Sequence, residues 1–222
     1  MSFSKEWDYI YSANAHLSIW PWSDVVSYVY RYAKPADGFH RVVELGCGAG
    51  ANIPLFVKFK ADYYGIDGSP AVVAMLHKSF PELKDKIVVG DFTQAIPFDG
   101  LFDMVLDRSS LTHNTTAAIQ KTLRMIMGRL REGGKFIGID WFSTANPAAK
   151  MGEAVDSHTR ANISSGQFEG LGAVHFSDQD HILELLTAAG FRVERLEHKK
   201  NDTVIPGNVT PMGWWNFVAV KP

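Results

Sequence analysis

The sequence contains little cysteine, no excess of charge of one sign and no long apolar run. Its 222 residues include one cysteine, Cys47, so no disulfide can form within the chain, as is typical of a reducing compartment. The net charge is -2, and the sequence has no basic cluster other than His-Lys-Lys at 198–200. This charge distribution argues against nucleic-acid binding. No run is long enough to span a membrane, and residues 1–6 lack the apolar core of a signal peptide. We therefore expect a cytoplasmic protein without membrane or nucleic-acid partners.

Residues 42–50 have the sequence VVELGCGAG, in which an apolar run ends in an acid and three glycines follow. The apolar run predicts a buried parallel strand. The glycines are typical of a tight turn where a ligand comes close to the backbone. A helix is expected from about Asn52, with Pro54 in its first turn. Strand, glycine turn and helix N-terminus together predict a nucleotide-type binding site.

The glycine motif alone leaves two classes of protein open. Residues 46–51 also satisfy the G-x-G-x-x-G/A pattern of dinucleotide dehydrogenases, and Asp67 after the second strand suits ribose binding in either class. Three further features are Glu44 before the first glycine, Gly-Asp-Phe at 90–92, and Leu-Arg-Glu-Gly-Gly-Lys at 130–135. In this order and spacing, the set resembles the class I S-adenosylmethionine-dependent methyltransferases.

Alternating strand and helix patterns predict an α/β fold with a doubly wound, mostly parallel seven-stranded sheet and helices on both faces. The expected strands are 41–45, 63–66, 87–89, 102–106, 134–139, 191–196 and 214–220. Ser23 or Asp24 is expected to cap a first helix that ends near Ala33. The family resemblance implies that the last strand runs antiparallel beside the sixth.

The chain is expected to form a single methyltransferase domain over residues 1–222. The segment after the fifth strand is too long for an ordinary connection, and we expect it to form a lid or substrate pocket. The four parts are an aromatic N-terminal cap (1–36), a cofactor-binding core (37–142), a lid insertion (143–176) and a C-terminal helix with strands (177–222).

The resemblance implies S-adenosylmethionine as the cofactor and S-adenosylhomocysteine as the product. The resemblance implies that Glu44 contacts the amino group of the cofactor's methionine portion, directly or through water. Asp67 would accept hydrogen bonds from both ribose hydroxyls, because two carboxylate oxygens match a vicinal diol. Asp91 would accept from the adenine amino group, although it also suits a cap of the next turn. The implied cofactor-binding residues are Glu44, Gly46, Cys47, Gly48, Gly50, Asp67, Gly68, Asp91, Phe92 and Asp107.

Candidate catalytic residues follow the fourth strand, whose carboxyl end should face the ligand crevice. His113 could remove a proton from an acceptor hydroxyl, since its unperturbed pKa is near neutrality. Asp107 could orient the His113 ring. A purely structural role for His113 stays open. His158 in the insertion is a further candidate base. With His175 these histidines suggest a metal site, but their spacing matches no helical ligand pair, so no metal is expected.

The expected reaction is methyl transfer to a small-molecule acceptor, with a hydroxyl of a saccharide or other metabolite as one candidate. Residues 107–110 are Asp-Arg-Ser-Ser and lack the Asn/Asp-Pro-Pro-Tyr/Phe signature of nucleic-acid or amide N-methylation. The sulfonium activates the methyl group, so the protein mainly supplies alignment and exclusion of water. An NAD-dependent oxidoreductase and a non-catalytic cofactor-binding protein stay open as alternatives. The chain could act as a monomer or a homodimer.

Overall fold

The computed structural model describes residues 18–33, 40–207, 209 and 211–222. The aromatic residues at positions 7, 9 and 11, which belong to the expected N-terminal cap, lie outside these ranges. The helices are α1 (Ser23–Tyr32), α2 (Ile53–Lys58), α3 (Pro70–Ser79), α4 (Thr116–Arg129) and α5 (Gln179–Ala188). The strands are β1 (Arg41–Leu45), β2 (Asp62–Asp67), β3 (Ile87–Val89), β4 (Phe102–Arg108), β5 (Leu130–Phe142), β6 (Glu153–Ala154), β7 (Thr159–Ala161), β8 (Val174–His175), β9 (Arg192–Asn201) and β10 (Met212–Val220).

The main sheet has seven strands in the order β3-β2-β1-β4-β5-β10-β9. β10 lies between β5 and β9 and is antiparallel to both, while the other neighbouring pairs are parallel. The predicted sheet and its antiparallel last strand are therefore confirmed. The strand order reverses between β1 and β4, and ligands of doubly wound sheets bind at the carboxyl ends of the strands at such a point.

Two apolar clusters cover the two faces of this sheet. One contains Ile119 of α4 and Leu185 of α5. The other contains residues of α1, α2 and α3, such as Phe56. Successive residues of β1 alternate between the clusters, with Val42 in the second and Val43 in the first, as the two-residue period of a strand requires. Burial on both faces explains why Val42 and Val43, which point to opposite faces, are both apolar.

Side-chain caps stabilise the starts of three helices. Ser69 accepts a hydrogen bond from Val72 N (3.2 Å) at the start of α3. Thr115 accepts from Ala118 N (3.3 Å) at the start of α4, and Asp178 caps α5. Each cap satisfies a helix N–H that would otherwise lack a partner. Local chemistry therefore sets these boundaries.

The prediction that Ser23 or Asp24 caps the first helix is wrong. The helix begins at Ser23, and the N-cap residue is Trp22, whose side chain makes no capping hydrogen bond. The Asp24 carboxylate instead accepts hydrogen bonds from Lys199 Nζ and from Asn216 Nδ2, the latter at 2.9 Å. An acid in the first turn still suits the helix dipole, and this one also attaches α1 to β9 and β10.

Several strands are longer than their sequence patterns indicate, and β5 and β9 differ most. β5 was expected over 134–139 but extends from Leu130 to Phe142, because it pairs with β4 on one side and β10 on the other. β9 was expected to end at 196 but continues to Asn201, which pairs with Met212 of β10. In both cases hydrogen bonds to neighbouring strands extend the strand through polar residues that lack strand periodicity.

The insertion at 143–176 has a small fold of its own. β6, β7 and β8 form a separate three-stranded sheet, and an apolar cluster that includes Phe168 and Phe176 packs inside the insertion. Asp156 attaches the insertion to the start of α4, since its carboxylate accepts from Thr116 N and Thr116 Oγ1, both at 2.9 Å. Closure of this segment over a ligand stays a prediction. Within the described ranges, no helix is both long and apolar enough to cross a membrane.

Alanine substitutions at two glycines, one in β5 and one in α4, should have opposite effects on the stability of the fold. In Gly138→Ala the new Cβ would lie 2.2 Å from the buried Phe217 ring, so we expect stability to fall. Overpacking of this kind costs about 1–3 kcal/mol. In Gly128→Ala, inside α4, the new Cβ has no neighbour within 4 Å, and stability should rise. The expected gain is about 0.5–1 kcal/mol. Urea unfolding measures both, and equal effects would contradict this packing.

Candidate active site

A cavity of about 320 Å³ opens where β1, β2 and β4 end. It is bounded by the glycine loop, by the turn after β3 and by the turn after β4, as expected at the switch point of the sheet. Eight of the ten predicted cofactor-binding residues line it: Glu44, Gly46, Cys47, Gly48, Asp67, Gly68, Asp91 and Phe92. The other two, Gly50 and Asp107, lie behind its walls.

Left-handed backbone conformations shape the glycine loop. Gly46, Gly48 and Gly50 have φ of 65°, 50° and 80°, which residues with a Cβ rarely adopt. A Cβ on Gly46 would lie 2.3 Å from Ser110 Cβ, so glycine allows the turn after β4 to approach the loop. A Cβ on Gly50 would lie 2.6 Å from Leu76, so Gly50 instead allows the loop to pack on α3.

Glu44 is buried on the floor of the cavity. Its Oε1 accepts a hydrogen bond from Asn52 Nδ2 and its Oε2 accepts one from Tyr63 Oη, each at 2.7 Å. Burial raises the pKa of Glu44 to about 7, while these two hydrogen bonds oppose the rise. The cavity therefore has a fixed carboxyl group that gains or loses its charge near neutral pH.

Asp67 connects the end of β2 to the glycine loop. Its Oδ2 accepts from Gly48 N (2.8 Å) and its Oδ1 accepts from Ser69 N (2.9 Å). The two backbone donors fix the plane of the carboxylate at the wall of the cavity.

Asp91 combines the two roles that the sequence left open. Its Oδ1 accepts hydrogen bonds from Thr93 N (2.9 Å) and Thr93 Oγ1 (2.6 Å), so it caps the turn after β3. It also lines the cavity beside Phe92. The cap orients the carboxylate and is compatible with ligand binding.

Asp107 lies beneath the cavity instead of facing it. Its side chain is fully buried, and its Oδ2 accepts from Trp141 Nε1 at 2.6 Å. Its Oδ1 accepts from Leu111 N at 2.9 Å and from the hydroxyl of Ser110. Burial raises the pKa of Asp107 to about 6 against the effect of these bonds. This environment corrects the expectation that Asp107 contacts ligands directly: it positions the turn that follows β4.

His113 lies in the short helical turn Leu111–His113 and lines the cavity. Its ring meets the Phe142 ring edge-on, with 5.5 Å between the centroids. Burial lowers the pKa of His113 to about 4. The imidazole is therefore neutral at neutral pH, well away from the near-neutral titration expected from an isolated histidine.

His158 lies in the insertion and does not line this cavity. Its ring stacks on that of His181 with 3.5 Å between centroids and 2° between planes, and His175 is 6.0 Å away. This packing argues against the catalytic role that the sequence suggested for His158. Among the residues whose structure is described, no group of three or more His, Cys, Asp or Glu side chains could hold a metal ion.

Several residues of the site were not identified from the sequence. Asn52 and Tyr63 hold Glu44 in place, and Asn52 could have been noticed because it directly follows the glycine loop. Trp22 gave no such signal: its ring covers the Arg108 guanidinium at 3.6 Å from the centroid, and both residues line the cavity. Arg108 also forms an ion pair with Asp140 at 2.9 Å.

Comparisons with known proteins show a methyltransferase domain in this chain. Residues 43–138 match the family model described as a methyltransferase domain. No match is found among curated proteins. A methyltransferase from Methanosarcina mazei is 14% identical over 91% of this chain and 98% of its own, with a TM-score of 0.66. The cyclase SpnF is 17% identical over 98% and 95%, with a TM-score of 0.68. Phospholethanolamine N-methyltransferase 2 of Haemonchus contortus, solved with phosphomonomethylethanolamine and S-adenosylhomocysteine, is 17% identical over 98% and 57%, with a TM-score of 0.65.

Residues 43–138 match a methyltransferase domain, and the seven-stranded sheet has the fold of solved S-adenosylmethionine-dependent methyltransferases. The predictions of the family, of a methyltransferase and of S-adenosylmethionine as the cofactor are thereby confirmed.

Glu44→Gln should remove part of the pH dependence of stability. The pKa of Glu44 is about 7 in the folded protein and 4.5 ordinarily. Between these values the folded state holds a proton that the unfolded chain has released, so stability falls as pH rises. From about pH 5 to 7.5, the wild type should lose up to about 3 kcal/mol relative to the variant.

Denaturant unfolding at both pH values measures the effect. The exposed acid Glu82 provides the control, because Glu82→Gln should follow the wild type. Parallel pH curves for wild type and Glu44→Gln would show that Glu44 has no raised pKa.

Proposed function

We propose that this protein transfers a methyl group from S-adenosylmethionine to a hydroxyl of a small-molecule acceptor, such as a saccharide or other metabolite. The observation that carries the proposal is the convergence of Glu44, Asp67 and Asp91 on one cavity around the glycine loop. We also propose a cytoplasmic location and a monomeric or homodimeric state, in keeping with the composition.

The residues of the cavity match the polar groups of the cofactor. In its ionised form Glu44 attracts the α-ammonium group, and the two carboxylate oxygens of Asp67, whose plane the backbone donors fix, match the vicinal hydroxyls of the ribose. Asp91 accepts from the adenine amino group, and Phe92 packs nearby. Bound S-adenosylmethionine supplies an electrophilic methyl group on a sulfonium.

His113 is the proposed proton acceptor for the hydroxyl. It lines the cavity and is neutral at physiological pH, so a ring nitrogen can take the hydroxyl proton. Asp107 acts indirectly, because its carboxylate fixes Ser110 and Leu111 in the turn that carries His113. His158 has no part in this proposal.

Asp67→Ala should weaken the binding of S-adenosylhomocysteine. Loss of two hydrogen bonds to a charged acceptor costs about 2–4 kcal/mol, or roughly 30- to 1000-fold in affinity. Calorimetry measures this loss, and Asp85→Ala, at an exposed position, should leave affinity unchanged. Titration with NADH in parallel tests the oxidoreductase alternative. Binding of NADH instead of S-adenosylhomocysteine, or equal affinities in the two variants, would overturn the cofactor assignment.

His113→Ala should lower kcat by roughly a hundredfold, the usual contribution of a general base. Affinity for S-adenosylhomocysteine should stay close to that of the wild type. Because burial holds the pKa of His113 at about 4, the wild-type rate should not depend on this group between pH 6 and 8 and should fall only as pH decreases through about 4. Release of S-adenosylhomocysteine measures the rate. A variant with near-normal kcat would favour an acceptor that needs no protein base.

A further inference from the structure

A second cavity, of about 400 Å³, adjoins the cofactor cavity. The two share Trp22, Arg108 and Ser109, so a molecule in the second cavity lies directly beside one in the first. Its other walls come from the start of α1, the ends of β4 and β5, the insertion, and the β9–β10 hairpin. Its volume lies within the range of small-molecule sites.

Charges around the second cavity cancel in pairs. Arg108 contacts Asp140 at 2.9 Å, and Lys199 forms an ion pair with Asp24. The buried amide of Asn216 links the Asp24 carboxylate to the backbone of Asp140, since its Nδ2 donates to Asp24 Oδ2 (2.9 Å) and its Oδ1 accepts from Asp140 N (2.8 Å). No other charged residue of the described chain lines this cavity. Its net charge is therefore zero, and neither a cation nor an anion finds an unpaired partner.

Backbone conformation also marks this cavity. Ser109 and Asp140 have φ of 57° and 58°, in the left-handed region that non-glycine residues seldom occupy. They lie at the ends of adjacent strands, and Ser109 Oγ donates to Asp140 O at 2.9 Å. Backbone strain of this kind concentrates at binding and catalytic sites, where surrounding structure maintains it.

The walls combine aromatic faces with neutral polar groups. Trp22, Phe142 and Trp214 contribute the aromatic part, and Ser23 and Gln167 add hydrogen-bonding groups beside the two ion pairs. A flat aromatic acceptor would cover these polar groups without replacing their bonds to water, which is costly. A ring with hydroxyls at its edge can instead stack its carbon face on an aromatic side chain and both donate to and accept from the polar groups.

We propose that the second cavity is the acceptor site and that it selects neutral, polyhydroxylated rings, such as pyranosides and cyclitols. The proposal rests on the proposed function, because the acceptor must lie beside the cofactor. Asp140 and Lys199 are the residues that determine charge selectivity, since each neutralises one half of the cavity.

The test measures binding of matched probes to the protein saturated with S-adenosylhomocysteine, by saturation-transfer NMR. The neutral probes are methyl α-glucopyranoside and myo-inositol, the charged probes are glucosamine and glucuronate, and catechol represents flat aromatic acceptors. The neutral polyols should bind roughly five- to tenfold more tightly than either charged probe, the cost of introducing one unpaired charge into a half-buried site.

Two variants should invert this selectivity. Asp140→Asn leaves the cavity with one net positive charge, and asparagine tolerates the left-handed backbone. Its preference should shift toward glucuronate by roughly five- to tenfold. Lys199→Gln leaves one net negative charge and should shift the preference toward glucosamine by a similar factor. Lys200→Gln is the control, because Lys200 is exposed and lies outside the cavity, so it should shift nothing.

The outcomes separate this proposal from the proposed function. If the wild type does not bind S-adenosylhomocysteine, the proposed function fails. If it binds S-adenosylhomocysteine but prefers glucosamine, glucuronate or catechol, or binds no neutral polyol, the proposal for the acceptor is overturned alone. Unchanged charge preference in both Asp140→Asn and Lys199→Gln would overturn it as well. Preference for a neutral polyol with opposite shifts in the two variants supports it.

Discussion

Both cavities depend on the hydrogen bonds that the buried carboxylate of Asp107 accepts. Through Trp141 Nε1 it connects β4 to β5, and through Ser110 and Leu111 it folds the next turn back against the sheet. The hydroxyl of Ser110 also lies 2.7 Å from Leu45 O, at the end of β1. An ionisable group without solvent is stabilised only when donors surround it. The ends of three strands are therefore held in one arrangement.

Helix α1 forms the outer wall of the site through contacts at its start. Trp22 N lies 3.4 Å from Asn52 Oδ1, and Asn52 in turn holds Glu44 on the cavity floor. The Trp22 ring covers Arg108, and Asp24 pairs with Lys199 of β9. One short segment therefore lines both cavities. Displacement of α1 would disturb both cavities together.

Local patterns predicted much of the fold because they act within a few residues. The bounds of β1 and β3 are as expected, since the apolar pattern of a strand depends on near neighbours in sequence. Strand lengths were less predictable, because β5 and β9 extend by pairing with β10. Likewise, Asp24 was misassigned because Lys199 and Asn216, far along the chain, determine its role.

The sequence by itself determined the methyltransferase domain, the α/β sheet and eight of the residues around the cavity at the glycine loop, because the acids Glu44, Asp67 and Asp91 lie within two residues of the ends of β1, β2 and β3. Only the tertiary structure decided what the remaining polar residues do. It buried Asp107 beneath the site, stacked His158 on His181, and paired Arg108 with Asp140. Burial and pairing of this kind depend on residues that are distant in sequence, and they set the charge that each group carries.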